Sequence, residues 1–443
     1  MSLSASDVSV ITPNWNGRRH LEVLLPSLLP LGPGEVIVVD NASSDDSVEF
    51  LGRQFPEVRV LRNETNLGFA SPCNRAARAA QGRVLAFINN DMRCHPAWIA
   101  AALPKLEEAP CVASRILDWD GQRIDYNGSS LQYLGYAAQR DLGELAAAVS
   151  TPHHVLFPCG GAMFIHRDVF LQVGAFDEDY FAIFEDVDLG WRLWISGHEV
   201  RLAPESQVYH RGHGTFQVNS LPKMRYLMHR NALLTIIKNY DADHFRKIVP
   251  LAVLLALKRA VRCSGVNREA FYLWRETANR AFEAENPQAL EDLLDAFNHL
   301  VAVDDVIDSL PRILEKRRLV QAGRRRTDTE LFALFSDPLR PIVLDAEYMA
   351  AELDLIRSLR LDEVFCTEDF MRALETAPSR TVERLRAARQ ELARIQQQGL
   401  AALLHPLSAA PRPRSRWRRF LDIWLEEGPV TAIRRAWRAW FAA

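Results

Sequence analysis

Asp91 closes the polar trio in the stretch "FINNDM" (87–92), where an apolar run, "VLAFI", gives way to two amides, Asn89 and Asn90, and a carboxylate. Asn and Asp tolerate turn geometry, so a solvated turn explains the trio cheaply. A divalent-metal site explains it as well, because a carboxylate is a hard oxygen ligand. Asp40 ends a second apolar run, "EVIVVD", and is followed by Asn41, Ser43 and Asp45. Such a carboxylate accepts a hydrogen bond from the ring N–H of uracil or thymine, or from a ribose hydroxyl. It suits equally the N-cap of a helix starting near Ser44. Glu185, Asp186 and Asp188 in "FEDVDLGWRL" open a helical pattern, where the helix dipole favours carboxylates. Their flanks, "AIF" and "LGWRLWI", are strongly apolar, which sets these groups at a wall of the core. A carboxylate there can have a pKa tuned for general-base work. His210, in "VYHRGHGTF", follows a strand pattern and is a candidate further ligand for an ion held by Asp91, although a lone histidine is usually structural. Gly212 and Gly214 beside it suggest backbone brought close to a ligand.

These groups need elements to bring them together. "VSVIT" (8–12), "EVIVVD" (35–40), "VRVL" (58–61) and "VLAFI" (84–88) are continuous apolar runs rich in Val and Ile. Between them, "RRHLEVLLPSLLP", "SDDSVEFLGRQF" and "GFASPCNRAARAA" place apolar residues at helical spacing. Strand–helix alternation with uninterrupted apolar strands predicts a parallel sheet covered on both faces. Crossovers of one hand then gather the strand ends along one crevice, so Asp40 and Asp91 should approach each other there. From about 110 to 160 the pattern loosens into short strands and a loop. Residues 158–216 read as a strand, a short helix, a loop, a longer helix and a final strand. Beyond about 220 the period is almost wholly helical.

The 443 residues, 48% hydrophobic and 25% charged, suit a globular chain of two to three domains. A net charge of −3 gives no reason to expect nucleic acid. Six scattered cysteines without a C-x-x-C pair fit a reducing compartment. No signal-peptide pattern opens the chain. The longest apolar run, "IVPLAVLLAL" (248–257), is about half of the ~20 residues that span a bilayer. A cytoplasmic location, peripheral at the inner face of the plasma membrane, is expected.

In order, "VSVITPNWNG", "VIVVDNASSDDS", "NETNLGFA", "LAFINND" and "GAFDEDYFAIFEDVDLGWRLWISGHEV" resemble the motifs of family 2 glycosyltransferases, the bacterial rhamnosyltransferase-like branch in particular. The resemblance spans roughly residues 7 to 240. It implies an α/β GT-A fold, Rossmann-like, a mostly parallel sheet with helices on both faces, followed by a mainly helical C-terminal region. It implies an inverting transfer of a sugar from a UDP- or dTDP-type donor to a hydroxyl of a saccharide or lipid-linked saccharide, in cell-surface polysaccharide synthesis. Carried over residue by residue, Asp40 matches the aspartate that reads the base. Asp91 matches the last carboxylate of a metal-binding D-x-D motif that is here reduced to Asn89-Asn90-Asp91, and His210 the late histidine that completes the Mn²⁺ or Mg²⁺ site. Asn66 and Gly68 match the segment lining the nucleotide pocket, with Pro13, Asn16, Asn41, Asn74, Asn89 and Asn90 also on the donor side. Asp186 matches the catalytic base and Glu185 its neighbour toward the acceptor. "ASPCN" departs from the usual small-residue run before Asn74, and Pro72 puts the pocket's shape near the donor sugar in question.

A sugar-nucleotide nucleotidyltransferase is the nearest competing enzyme. It would want a glycine-rich, basic loop after the first strand to hold a triphosphate, and "TPNWNGRRH" has Arg18 and Arg19 without that glycine run. A non-catalytic nucleotide-sugar-binding module is disfavoured by the intact Asp91, Asp186 and His210.

The domain reading is a catalytic domain over 1–240, a helical domain over 241–407, and a Pro/Arg linker with a basic amphipathic tail over 408–443. In the tail, Trp417, Phe420, Leu421, Trp424 and Leu425 fall on one helical stripe, with eight Arg against three acidic residues from 411 onward. Such a segment can lie in a membrane interface or dock on the protein's own helices. A homo-oligomer is a further possibility for the helical half.

Overall fold

The computed structural model describes residues 2–149, 153–211, 221–264, 287–340, 342–343 and 346–365. Residues Met1–Phe370 form one compact unit; a second unit, Met371–Ala443, lies wholly outside the described residues, and with it the amphipathic tail.

The first half follows the alternation in the sequence. Strands β1 (Val8–Asn14), β2 (Glu35–Asp40), β3 (Arg59–Arg62) and β4 (Val84–Ile88) alternate with helices α1 (Arg18–Leu28), α2 (Ser47–Gln54) and α3 (Ala70–Ala79). They pair in parallel in the order β3-β2-β1-β4. Every residue of β4 is buried, although its side chains alternate between the two faces. Both faces of the sheet are therefore covered, which is why β4 reads as an unbroken apolar run. Pro72 sits in the first turn of α3, where a missing N–H breaks no helical bond, and the helix runs on undisturbed.

The second half of the sheet is mixed rather than parallel. After β5 (Met92–Cys94), α4 (Trp98–Glu108), β6 (Cys111–Asp118), β7 (Ile124–Tyr126) and the hairpin β8 (Ser129–Leu131) with β9 (Ala137–Gln139), strand β10 (Ala162–His166) returns beside β4. It runs antiparallel to β4, with Phe164 opposite Ala86, and antiparallel to β6 on its other side. Helix α5 (Arg167–Gln172) and helix α6 (Glu185–Ile195) precede β11 (Val200–His210), which runs parallel to β6. The order is β3-β2-β1-β4-β10-β6-β11-β5, with β7 on β6. This sheet, flanked by helices and followed by a helical region, is the GT-A architecture.

Helix α6 is buried on almost every side from Val187 to Ile195, as expected of an element sandwiched between layers. One side faces β11 and the other α7 (Leu221–Asn239). Trp191 meets Tyr240 and Phe335 edge to face, with ring centroids 4.8 and 5.1 Å apart. Helices α8 (Ala242–Cys263) and α9 (Pro287–Ala322) pack on α7 and on each other within the same unit.

Candidate active site

The polar strand ends converge at the carboxyl edge of the parallel half. Asn14 ends β1 directly opposite Asp40 at the end of β2. Its side-chain N–H₂ reaches Asp40 Oδ1 at 3.5 Å and Ser43 Oγ at 3.3 Å, while its Oδ1 accepts from Asn90 at 2.8 Å. Asn14 is thus a buried bridge between the end of β2 and the "NND" turn. Gly17 makes room for it, since a Cβ there would stand 2.2 Å from Asn90 Nδ2 and 2.4 Å from Asn14 Oδ1. Asp40 itself is 1% exposed and accepts from the Ser43 amide at 3.2 Å. It does not cap α2, whose N-cap position is Asp46. The capping reading of Asp40 is therefore wrong, because the chain makes a full loop between the strand and the helix.

Amides tie the loops around Asp40 into one frame. Asn16, at φ +52°, accepts at Oδ1 from the Ser44 and Asp45 amides, at 2.7 and 3.3 Å. Asn41 donates to Asn66 Oδ1 at 3.0 Å and to the Gly68 carbonyl at 2.7 Å, and accepts from Asn63 and from the Leu67 amide. Gly68, at φ +78°, lies so close to Phe181 that a Cβ would stand 2.2 Å from its carbonyl oxygen, a place only glycine fills without strain. Pro13 sits within β1, paired with Val39. Asn74 is buried with its amide engaged by the Phe176 backbone, at 2.8 and 3.0 Å, and by Glu178 at 3.0 Å. It braces the 174–180 loop.

Asp91 reaches His210 through the mixed half of the sheet. Strand β5, directly after Asp91, pairs antiparallel with β11, so Met92 lies opposite His210. Asp91 Oδ2 and His210 Nε2 are 3.4 Å apart, and the Arg211 amide donates to the Asp91 carbonyl at 3.2 Å. The other imidazole nitrogen, Nδ1, is bonded to Asp125 at the middle of β7, a residue that no sequence motif marked. Burial alone would push His210 down, but its bonds to Asp125 and Asp91 and their charges lift it to about 10. Burial likewise works to raise Asp91, and the bond and charge of His210, with the charge of His20, bring it below the usual carboxylate range. Asp91 Oδ1 is buried and without a hydrogen-bond partner. The unpartnered Asp91 oxygen and the His210 imidazole, with Asp125 behind the ring, suit a hard divalent cation. Beside them opens a cleft of about 510 Å³ lined by Arg18, Arg19, His20, Arg211, Asn16, Asp45 and Asp46.

Asp186 joins this edge through two glycines. It lies in the first turn of α6 and accepts from the Gly160 amide at Oδ2 and from its neighbour Val187 at Oδ1, each at 2.8 Å. The next residue, Gly161, takes the Asn89 amide on its carbonyl at 3.0 Å, and a Cβ on it would meet Asn89 Nδ2 at 2.9 Å. The same two-residue step therefore touches both the "NND" turn and Asp186. Burial raises Asp186 above the ordinary range, with its backbone N–H bonds opposing only in part. Glu185 is pushed well above by burial and then by the charge of Asp186, and its Oε2 is buried without a partner.

Asp188, two residues on, has a different environment. It is fully buried and accepts from Arg192 Nε at 2.8 Å, Lys238 Nζ at 2.8 Å and Asn239 at 3.0 Å. Burial works against its charge, but Arg192 and Lys238 hold its carboxyl below the usual range. This carboxylate bolts α6 to α7.

The loop before α6 is strained, with Phe181, Ile183 and Phe184 at φ +61°, +72° and +69°. Asn231 of α7 holds it by donating to the carbonyls of Tyr180, Ala182 and Ile183 at 3.1, 2.9 and 2.6 Å. Asn231 lies in "RYLMHRNALL", within the stretch beyond about 220 whose period is almost wholly helical. Gly212 and Gly214 lie outside the described residues.

Comparison with known proteins agrees with this picture. The family model described as "Glycosyl transferase family 2" matches residues 9–174, and "Glycosyl transferase family group 2" matches 122–255. Among curated relatives, an O-antigen biosynthesis protein, RfbC, of Myxococcus xanthus is 26% identical over 234 residues, covering 49% of this chain and 18% of that protein. An N-acetylglucosaminyl-diphospho-decaprenol L-rhamnosyltransferase of Mycobacterium tuberculosis is 28% identical over 235 residues, covering 46% of this chain and 76% of its own. The chain thus spans less than a fifth of the first relative and about three quarters of the second. Among solved structures, S. aureus TarS 1–349 in complex with UDP-GlcNAc is 17% identical, with a TM-score of 0.43, covering 80% of this chain and 91% of that one. GalNAc-T7 with UDP, GalNAc and Mn²⁺ is 17% identical, with a TM-score of 0.44, over 57% of this chain and 50% of that one. The two family models together run from residue 9 to residue 255, and over this span the chain is family 2 glycosyltransferase-like, with its likeness to the rhamnosyltransferase falling in the same half.

Proposed function

We propose that the protein is an inverting glycosyltransferase that moves a sugar from a UDP- or dTDP-linked donor to a hydroxyl of a saccharide or lipid-linked saccharide. Cell-surface polysaccharide synthesis is the process it serves. The observation that carries this reading is the Gly160–Gly161 step, which links Asp186 to the turn that bears Asp91 and, through Asn14, to Asp40. Asp40 receives the ring N–H of a uracil or thymine, or a ribose hydroxyl. Asp91 and His210 would hold a Mn²⁺ or Mg²⁺ ion, with Asp125 fixing the imidazole from behind. Such an ion, when bound, supplies Lewis-acid neutralisation of the departing diphosphate. The cleft with Arg18, Arg19 and Arg211 adds cationic surroundings for the same group.

Asp186 acts as general base. Its raised pKa makes it a stronger base than an exposed carboxylate, and the two backbone N–H bonds orient it. It takes the proton of the acceptor hydroxyl as that oxygen bonds to the anomeric carbon. The bond from that carbon to the nucleoside diphosphate breaks on the opposite face, and one displacement inverts the configuration. Glu185, whose Oε2 is buried without a partner, is in this reading the neighbour of the base toward the acceptor. The likeness to an N-acetylglucosaminyl-diphospho-decaprenol L-rhamnosyltransferase of Mycobacterium tuberculosis supports a lipid-linked acceptor. Among the described residues no helix is long and apolar enough to cross a membrane.

The test is release of nucleoside diphosphate from UDP-, dTDP- and GDP-sugars, with Mn²⁺ or Mg²⁺ and with EDTA, beside calorimetric donor binding. Metal-dependent turnover of one donor is expected, lost in Asp91→Ala. Asp186→Asn should bind that donor as wild type does and transfer about 10²–10⁴-fold more slowly. Near wild-type transfer by Asp186→Asn removes it as the base, and failure to bind any nucleotide sugar overturns the reading.

A further inference from the structure

The outward face of α8 has a composition that packing among the described residues does not explain. Its inner face buries Ile248, Leu251, Ala252, Leu255 and Ala256. On the opposite side Pro250, Leu254, Leu257 and Val261 recur at intervals of four, three and four residues, the spacing of one helical stripe. Leu254 is 60% exposed, Leu257 42% and Val261 47%. Scattered single apolar residues on a surface need no explanation, but a stripe over three turns of one helix does.

The borders of the stripe supply the second observation. Lys247, Lys258 and Arg262 flank one side of it on the helical wheel and Arg246 the other; the acidic residue of the same helix is Asp243, which pairs with Arg246. An apolar strip with a cationic margin is the pattern of a helix lying in the plane of an anionic bilayer surface, apolar side chains among the acyl boundaries and cations at the headgroups. A second copy of this chain suits it less well, because a two-fold contact would bring the same cationic margin against itself.

We propose that the outward face of α8 docks the protein on an anionic lipid surface. The inference does not rest on the catalytic reading: it uses no residue of that site and holds whichever donor or acceptor is used. The lipid surface it requires is one with exposed phosphate headgroups of net negative charge, and contact is reversible, since one stripe of this length does not anchor a protein permanently.

The full chain is tested by co-sedimentation with vesicles of phosphatidylcholine alone and of phosphatidylcholine with phosphatidylglycerol. Two variants run alongside: Leu254→Ser with Leu257→Ser and Val261→Ser, and Lys247→Glu with Lys258→Glu. Each of these side chains faces away from the core, so circular dichroism should match wild type. Wild type should bind the anionic vesicles and leave the neutral ones. The apolar variant should lose about tenfold or more in partitioning, and each Lys→Glu reversal should cost at least about fivefold. Anionic binding unchanged in both variants assigns the contact to another segment and overturns the proposal. So does absence of wild-type binding, and so does a dimer, seen by light scattering, that the apolar variant dissolves.

Discussion

Two carboxylates that stand two residues apart, Asp186 and Asp188, should respond oppositely to the same substitution. In Asp188→Asn the side chain keeps its shape and loses its charge at a fully buried position. Two charge-assisted bonds are weakened, from Arg192 and Lys238, at about 1.5–3 kcal/mol each. The loss is softened because Lys238 keeps Asp177 at 2.6 Å and Arg192 keeps the carbonyls of Val173 and Ala175. The net expectation is about 3 kcal/mol, the lower end of the cost of breaking a buried pair. Asp186→Asn removes a charge that burial already disfavours and leaves one amide oxygen for its two backbone donors, so its stability should stay within about 1 kcal/mol of wild type. Urea unfolding followed by tryptophan fluorescence measures both, with Trp191 on the same helix as a nearby reporter. The pH dependence carries the sign. Asp188 is held below its ordinary range, so its contribution is present above the unfolded pKa of about 3.9 and lost as pH falls toward the folded value. The deficit of Asp188→Asn should therefore shrink in acid. Glu185 and Asp186, held high, contribute most below their unfolded values and lose that contribution as pH rises through the folded ones. An Asp188→Asn protein within about 0.5 kcal/mol of wild type, or an Asp186→Asn protein as unstable as Asp188→Asn, would refute the division of this motif into a bolt and a base.

Asp125→Asn should weaken Mn²⁺ binding, measured by calorimetry, about 10–100-fold, because the carboxylate that orients the His210 ring is gone; unchanged affinity would remove Asp125 from the site. Asn231→Ala releases three loop carbonyls before Glu185 and should cost about 1–3 kcal/mol in urea unfolding. The same variant should slow transfer with donor binding kept, and an unaltered rate would show that the strained loop holds itself.

Strand ends were legible in the sequence because their chemistry is local. A buried parallel strand must be apolar throughout, and it must stop where polar residues begin. So "VLAFINND" and "EVIVVDN" carried their boundaries and their terminal carboxylates with them. The first turn of α6 was legible for the same reason, since an acidic cluster before an apolar helix is a helix start. Tertiary structure decided what the cluster does. Nothing in "FEDVD" distinguishes Asp186 from Asp188; Lys238 and Asn239, some fifty residues away, make one of them an ion-pair partner. Likewise β5 carries Asp91 to β11, and only that antiparallel pairing sets His210 beside it. Asp125 reaches the same imidazole on a three-residue strand too short to show a period. Hydrophobic period reports how a segment faces the core, and says nothing of which distant segment lies next to it. The elements of this protein follow from its sequence by itself; the neighbours that give each carboxylate its pKa and its role come from the way the sheet closes.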